Sequence, residues 1–189
     1  MRDLSSGRRD HDASAIIGAV LATLHAAHPG PPPKVLTPLE VRFAELFDAT
    51  KQPHADPILQ RGAKTAQTLL NHPLNEVVLH GDLHHENILQ SSSRGWLAID
   101  AKGLRGETTY DRAMAVLNPQ SHDALVMAPD RIAAITETLA HALNVGARRL
   151  LQFTFAHACL CACWSMETST FSSDRALSMA RIIERMLAA

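Results

Sequence analysis

Near the start of the chain, Ile16, Ile17, Val20, Leu21 and Leu24 recur at the spacing of one helical face. This predicts a helix capped by Asp12 and ending near His28, ahead of the stiff run from Pro29 to Pro33. Two further helices are expected to open at Thr37 and Asp56, because each is a capping residue followed by proline, Pro38 or Pro57, at the first helical position. The first eighty residues thus read as almost wholly helical. The pattern then changes. A short apolar run, Glu76 to Leu79, leads into HGDLHHENILQ, a polar turn SSSRG, and the apolar WLAI that ends at Asp100. This reads as a β-hairpin, strands Ile88 to Gln90 and Trp96 to Ile99, flanked by loops. Beyond it the spacing predicts a short helix from about Asp111 to Leu117 stopped by Pro119, one from about Asp130 ended by Gly146, a long one through Met166, and a last one from about Asp174. Residues 1–12 are expected to be disordered, and no internal repeat is visible.

Composition narrows the class. At 189 residues and 46% apolar, the chain suits a single globular domain. Lysine and arginine total 18 against 19 acidic residues, which gives neither the basic field of a nucleic-acid binder nor an acidic tail. The N-terminus lacks the apolar core of a secretory signal and no stretch is long enough to span a membrane, so a cytoplasmic location is expected. Cys159, Cys161 and Cys163 are odd in number and crowded together, which argues for reduced thiols. Together with His157 they suggest a metal cluster, but residues two apart on a helix face opposite sides. With only Cys159 and Cys163 on one face, core cysteines outweigh that reading.

The chemistry gathers in His80-Gly81-Asp82-Leu83-His84-His85-Glu86-Asn87, which matches H-x-D-x-x-x-x-N, the catalytic-loop pattern of kinases. Phosphoryl transfer needs a carboxylate beside the attacking hydroxyl and a metal with hard oxygen ligands to neutralise the phosphates. Asp82 is the candidate base, and Asn87 and Asp100 are the candidate Mg2+ ligands. The two strand ends that carry Asn87 and Asp100 meet in an antiparallel hairpin, where cross-strand neighbours lie roughly 5 Å apart. A competing reading makes His80, His84 and His85 zinc ligands of a hydrolase, with Asp82 or Asp100 completing the site; it leaves Asn87 unexplained. Lys102 and Arg105 either contact phosphate or line a solvated loop. Trp164 and Glu167 could form an acceptor pocket, with Glu167 attracting a cationic acceptor, although a packing tryptophan and a surface glutamate outweigh that.

HGDLHHENIL, followed by WLAIDAKGLRGETTYDRA and LNP, resembles the aminoglycoside and hydroxyurea resistance kinases, a family that includes streptomycin 6-kinases and shares the protein-kinase-like fold. The resemblance covers roughly Ile16 to Glu167. It implies an ATP- and Mg2+-dependent transfer to a small-molecule hydroxyl, with Asp82 as base, Asn87 and Asp100 on the metal, and His80 as a structural part of the catalytic loop. It implies further that His84 stands where protein kinases carry lysine and that Asp111 braces the loop. Two positions depart from the family: Ala101 replaces the usual proline after the metal aspartate, and Thr108-Thr109 replaces proline-alanine before Tyr110.

The resemblance also implies a mainly helical C-terminal lobe with one hairpin, and a preceding small lobe that would supply a strand lysine and a glycine-rich loop for the nucleotide. Lys34, Lys51 and Lys64 lie in helix or loop contexts and no glycine cluster precedes Asp82, so that lobe is not expected within this chain. A gene fragment, a truncated paralogue or an isolated lobe would read this way. Two consequences are expected: weak stand-alone activity, and an apolar surface near the hairpin that promotes self-association. The alternative is a catalytically silent lobe that only binds ligand or partner.

Overall fold

In the computed structural model residues 10–28, 30–119, 122–142, 144–167 and 172–189 are described, the side chains at 167, 172 and 173 apart. The longest helix, α8 (Ala147–Glu167), runs through the middle of the apolar core and touches α3 (Ala44–Ala49), α4 (Pro57–Asn71), α5 (Tyr110–Val116), α7 (Pro129–Ala142) and α9 (Ser172–Ala188). Its apolar residues go all round the helix, and Leu150, Phe153, Ala156, Cys159, Leu160 and Cys163 are all buried. Each large apolar side chain so placed contributes roughly 1.5–3 kcal/mol relative to exposure. Gly62 lets α4 come close, since a Cβ there would lie 2.5 Å from the Cys159 sulfur. Cys159 and Cys163 are therefore core residues, and none of the three cysteines forms a disulfide.

The first helix, α1 (Asp10–Ala26), starts before Asp12, so Asp12 is not its cap. Asp10 is buried and accepts two hydrogen bonds from Arg131 of α7, both 2.9 Å, while Arg131 also donates to the carbonyls of Val116 (3.0 Å) and Asn118 (2.7 Å). One guanidinium thus ties together the start of α1, α7 and the end of α5. The capping expectation holds at Asp56, whose side chain accepts from the Ile58 N–H at 2.9 Å with proline at the first helical position. It fails at Thr37. Thr37 and Pro38 form β1, and the short helix α2 (Leu39–Arg42) begins after Pro38 with no side-chain cap.

Two small sheets complete the fold, which is mainly helical with a minor β component. The expected hairpin is β3 (Ile88–Ser91) with β4 (Gly95–Ala98), in a register that pairs Ile88 with Ala98 and Ser91 with Gly95. The second sheet has the order β1-β5-β2, in which β2 (Glu76–Leu79) runs antiparallel and β1 parallel to β5 (Leu104–Glu107). β5 is a correction, since the sequence reads as loop there: Leu-Arg-Gly-Glu has too little β propensity to announce a strand. Tertiary contacts override propensity. Leu104 is buried, and Glu107, also buried, is neutralised by Arg149 at 2.6 Å and accepts the Leu74 N–H at 2.9 Å. The short helix α6 (Asp123–Val126) was likewise not foreseen. Among the described residues no helix is long and apolar enough to cross a membrane.

Candidate active site

β2 delivers the chain to His80, and the loop that follows rests on one buried carboxylate. Asp111, in the first turn of α5, is fully buried; its oxygens accept the backbone N–H groups of His80 (2.9 Å) and Gly81 (2.7 Å). His25, from the end of α1, reaches the same carboxylate with Nε2 at 2.9 Å, and its Nδ1 lies 3.0 Å from the Thr108 hydroxyl. With the proton on Nε2 donated to Asp111, Nδ1 is left to accept from Thr108. Gly81 has φ +80, and a Cβ there would meet Leu104 Cδ1 at 2.6 Å, so the loop turns closely over β5 and only glycine fits.

His80 is buried and bonded at both nitrogens: Nε2 lies 2.8 Å from the Ile99 carbonyl, and Nδ1 accepts the Asp82 N–H at 3.3 Å. It links the His80–Asn87 loop to the strand end that precedes Asp100. Asn87 closes the loop from the other side, donating from Nδ2 to the Asp82 carbonyl at 2.8 Å, while its own carbonyl accepts the Ile99 N–H at 3.0 Å. The amide nitrogen is thereby committed, and Oδ1 is what Asn87 has left for a ligand. His84 Nε2 lies 3.3 Å from Asn87 Nδ2 and 3.8 Å from Asp82 Oδ1.

Asp100 adopts φ 65, in the left-handed region that aspartate tolerates better than most residues. The Lys102 ammonium lies 2.6 Å from Asp100 Oδ2 and 3.6 Å from Asp82 Oδ2, so a positive charge sits between the two carboxylates. That hydrogen bond, reinforced by the lysine charge, holds the Asp100 carboxyl below its ordinary range, and the Asp100 hydrogen bond raises Lys102 in turn. The donor set suits a hard cation. One amide oxygen and one or two carboxylates, completed by phosphate oxygens and water, are what Mg2+ ordinarily takes. Among the described residues no group of three or more His, Cys, Asp or Glu is arranged to hold a metal ion. The loop histidines disperse: His80 faces Ile99, His84 faces Asp82 and Asn87, and His85 is buried, with both ring nitrogens lacking a hydrogen-bond partner among the described residues. Burial pushes His85 down to about 4.

Arg105 stands apart from this group. It lies in the central strand β5, opposite Pro38 on one side and Val78 on the other, and its Nε is buried without a hydrogen-bond partner among the described residues. Trp164 is brought to the site: it lines a cleft of about 300 Å3 together with Asp82, His84, Arg42, His157 and Cys161. The Glu167 side chain lies outside the described residues. His157 and Cys161, four residues apart, share a face of α8 after all, with Nε2 and Sγ 3.2 Å apart. His25, Arg42 and His157 were not singled out as site residues from sequence; each enters through long-range packing, and no local motif announces it.

The family model described as aminoglycoside/hydroxyurea antibiotic resistance kinase matches residues 1–169. A streptomycin 3''-kinase of Klebsiella pneumoniae is 40% identical over 159 residues, covering 82% of this chain and 58% of that protein. Two streptomycin 6-kinases are also similar, that of Streptomyces griseus at 30% over 115 residues (58% of this chain, 37% of the relative) and that of Streptomyces glaucescens at 26% over 185 residues (93% and 58%). The chain spans little more than half the length of these curated relatives, or less. With the matched model covering most of its length, the chain belongs to the aminoglycoside/hydroxyurea antibiotic resistance kinase family.

Proposed function

We propose that this chain is the catalytic lobe of an ATP- and Mg2+-dependent phosphotransferase that acts on a hydroxyl of a small molecule, an aminoglycoside of the streptomycin type being the first candidate. The observation that carries the reading is the convergence of Asp82, Asn87 and Asp100: Asn87 is bonded to the backbone of Asp82, Lys102 joins the carboxylates of Asp82 and Asp100, and Asp82 lines a cleft together with Trp164. In this reading Asp82 orients the acceptor hydroxyl and takes its proton. Asn87 Oδ1 and the Asp100 carboxylate hold Mg2+, which when bound offsets the charge of the nucleotide phosphates. Lys102 keeps the two carboxylates from repelling each other and so holds the site ready before the ion arrives. His80 and Asp111 position the loop, while His84 beside Asp82 occupies the place of the protein-kinase lysine.

The same reading makes this a C-terminal lobe of a protein-kinase-like fold, one that works with a nucleotide-covering lobe bearing a lysine on a strand. Leu89 and Ile99, on the hairpin and at its end, are 52% and 41% exposed, which fits a surface that another lobe, or a second copy of the chain, covers. Transfer of labelled phosphate from ATP to streptomycin tests the proposal, using the chain alone and the chain supplied with the N-terminal part of the Klebsiella relative. The supplied form should turn over, the chain alone slowly or not at all. Asp82→Asn should lower turnover about a hundredfold or more with little change in acceptor affinity. Undiminished turnover in that variant would remove Asp82 from the mechanism. Micromolar ATP binding with steady turnover by the chain alone would remove the need for a second lobe.

A further inference from the structure

The cleft beside Asp82 contains two guanidinium groups in different states. Arg175 is neutralised: its Nε lies 2.5 Å from Asp123 Oδ1, and Nη2 donates to the Leu117 carbonyl at 3.2 Å. Arg42 has no carboxylate partner among the described residues. Its Nε donates to the Tyr110 hydroxyl at 3.4 Å, and its Cζ lies 4.2 Å above the centre of the Trp164 ring. Both terminal nitrogens are left without a hydrogen-bond acceptor among the described residues. An arginine fork held over a ring, with its outer N–H groups unspent among the described residues, suits a bidentate oxyanion.

Arg42 is also held in place. Tyr110, fully buried, donates its hydroxyl proton to His157 Nδ1 at 3.0 Å, which leaves Nε2 of His157 to face the Cys161 sulfur at 3.2 Å. The rings of Tyr110 and His157 and those of His157 and Trp164 meet edge to face, with centroids 5.5 and 5.6 Å apart. Burial, aided by the Arg42 charge, pushes His157 down to about 3, so this ring stays neutral and Arg42 is the cation on that wall. Arg42, Cys161 and the candidate base Asp82 all line the one cleft.

Resting on the function proposed above, we propose that Arg42 is an oxyanion-binding residue of the acceptor cleft, which takes the phosphoryl oxygens once the group is on the acceptor. As the bond from phosphorus to the acceptor oxygen forms, the bond to the nucleoside diphosphate breaks and the hydroxyl proton passes to Asp82. The acceptor leaves with a dianionic group that it lacked on entry, and Arg42 is, among the described residues lining the cleft, an arginine without a carboxylate partner and so placed to meet it. Arg42 therefore recognises the phosphorylated product and gives the cleft an affinity for inorganic phosphate.

The chain has two tryptophans, Trp96 and Trp164, so Trp96→Phe leaves a single fluorophore under the Arg42 guanidinium. Titrating that variant with inorganic phosphate, acetate and chloride at matched ionic strength should give a saturable Trp164 response to phosphate in the millimolar range. Arg42→Gln should weaken that response about tenfold. Arg42→Lys, which keeps the charge but loses the fork, should fall between the two and guards against a folding defect in the first variant. Asp82→Asn should bind phosphate as well or better, because a nearby negative charge is gone. A phosphate response no different from chloride, or one unchanged in both Arg42 variants, would overturn the proposal. So would an equal response to acetate, which would reassign Arg42 to a carboxylate on the acceptor. No nucleotide or turnover is involved, so a failure here is separable from a failure of the transfer assay.

Discussion

Asp111 and Asp100 flank the same strand, β5, and meet opposite surroundings. Asp111 is fully buried and accepts from two backbone N–H groups and the His25 ring. Asp100 is 63% exposed, is held in a left-handed backbone conformation, and meets one ammonium that it shares with Asp82. The catalytic loop thus has an underside whose hydrogen bonds are complete and an upper face whose oxygens are sparsely used. A buried carboxylate without partners costs several kcal/mol, so burial demands full satisfaction and leaves no lone pair for chemistry. A group meant to meet a metal and a phosphate must stay where water can stand in for them. On this comparison, the hydrogen bonds that stabilise the loop lie beneath it and the groups proposed for chemistry lie above it, so mutation should separate the two.

The largest effect is expected beneath. Asp111→Ala leaves the N–H groups of His80 and Gly81 and the His25 ring without their acceptor in a buried site, which should cost about 3–5 kcal/mol. Chemical denaturation measures this. A loss under about 1 kcal/mol would mean that the loop is anchored elsewhere, for example by His80 on Ile99, and the comparison would fail. A smaller effect is expected where the loop turns. Gly81→Ala places a Cβ 2.6 Å from the buried Leu104 at φ +80, so the loop or β5 must shift, at about 1–3 kcal/mol. Thermal unfolding reads the stability change. A variant as stable as the parent would show that the underside yields more readily than its hydrogen bonding suggests.

This division also explains what the sequence could tell. Asp82 and Asn87 were legible because the chemistry of the upper face lies within one loop, where spacing alone relates the residues, and Asp100 followed from the hairpin register. The long helices α4 and α8 and the Asp56 cap were legible from equally local signals. The underside was not. That Asp111 would brace the loop came from family resemblance, and its partner His25 belongs to α1, far away in sequence. Likewise Arg131 reaches Asp10 across most of the domain, and β5 exists because Glu107 finds Arg149 in α8. Spacing cannot reveal contacts that only packing creates. Arg105, weighed evenly between a phosphate contact and a solvated loop, lies in β5, where strand pairing that spacing did not reveal sets its surroundings.

The smallest effect is expected on the upper face, at Lys102. This side chain is itself over one-third exposed, and surface ion pairs contribute little to folding, so Lys102→Met should leave the unfolding midpoint nearly unchanged. What should move is the titration of Asp100. In the parent its carboxyl lies below its ordinary value of 3.8, first because of the Lys102 hydrogen bond and then because of the lysine charge. A depressed folded-state value means that the pair favours the folded state above the unfolded pKa, and that this contribution is lost as pH falls from there through the folded value. Without Lys102 the carboxyl should protonate near 3.8. Carboxyl carbon shifts followed by NMR from neutral to acid pH would show the Asp100 midpoint rising in the variant. An Asp100 midpoint that stays in place would mean that water, rather than Lys102, governs this carboxylate, and the ammonium would no longer account for how Asp82 and Asp100 are held together before a metal binds.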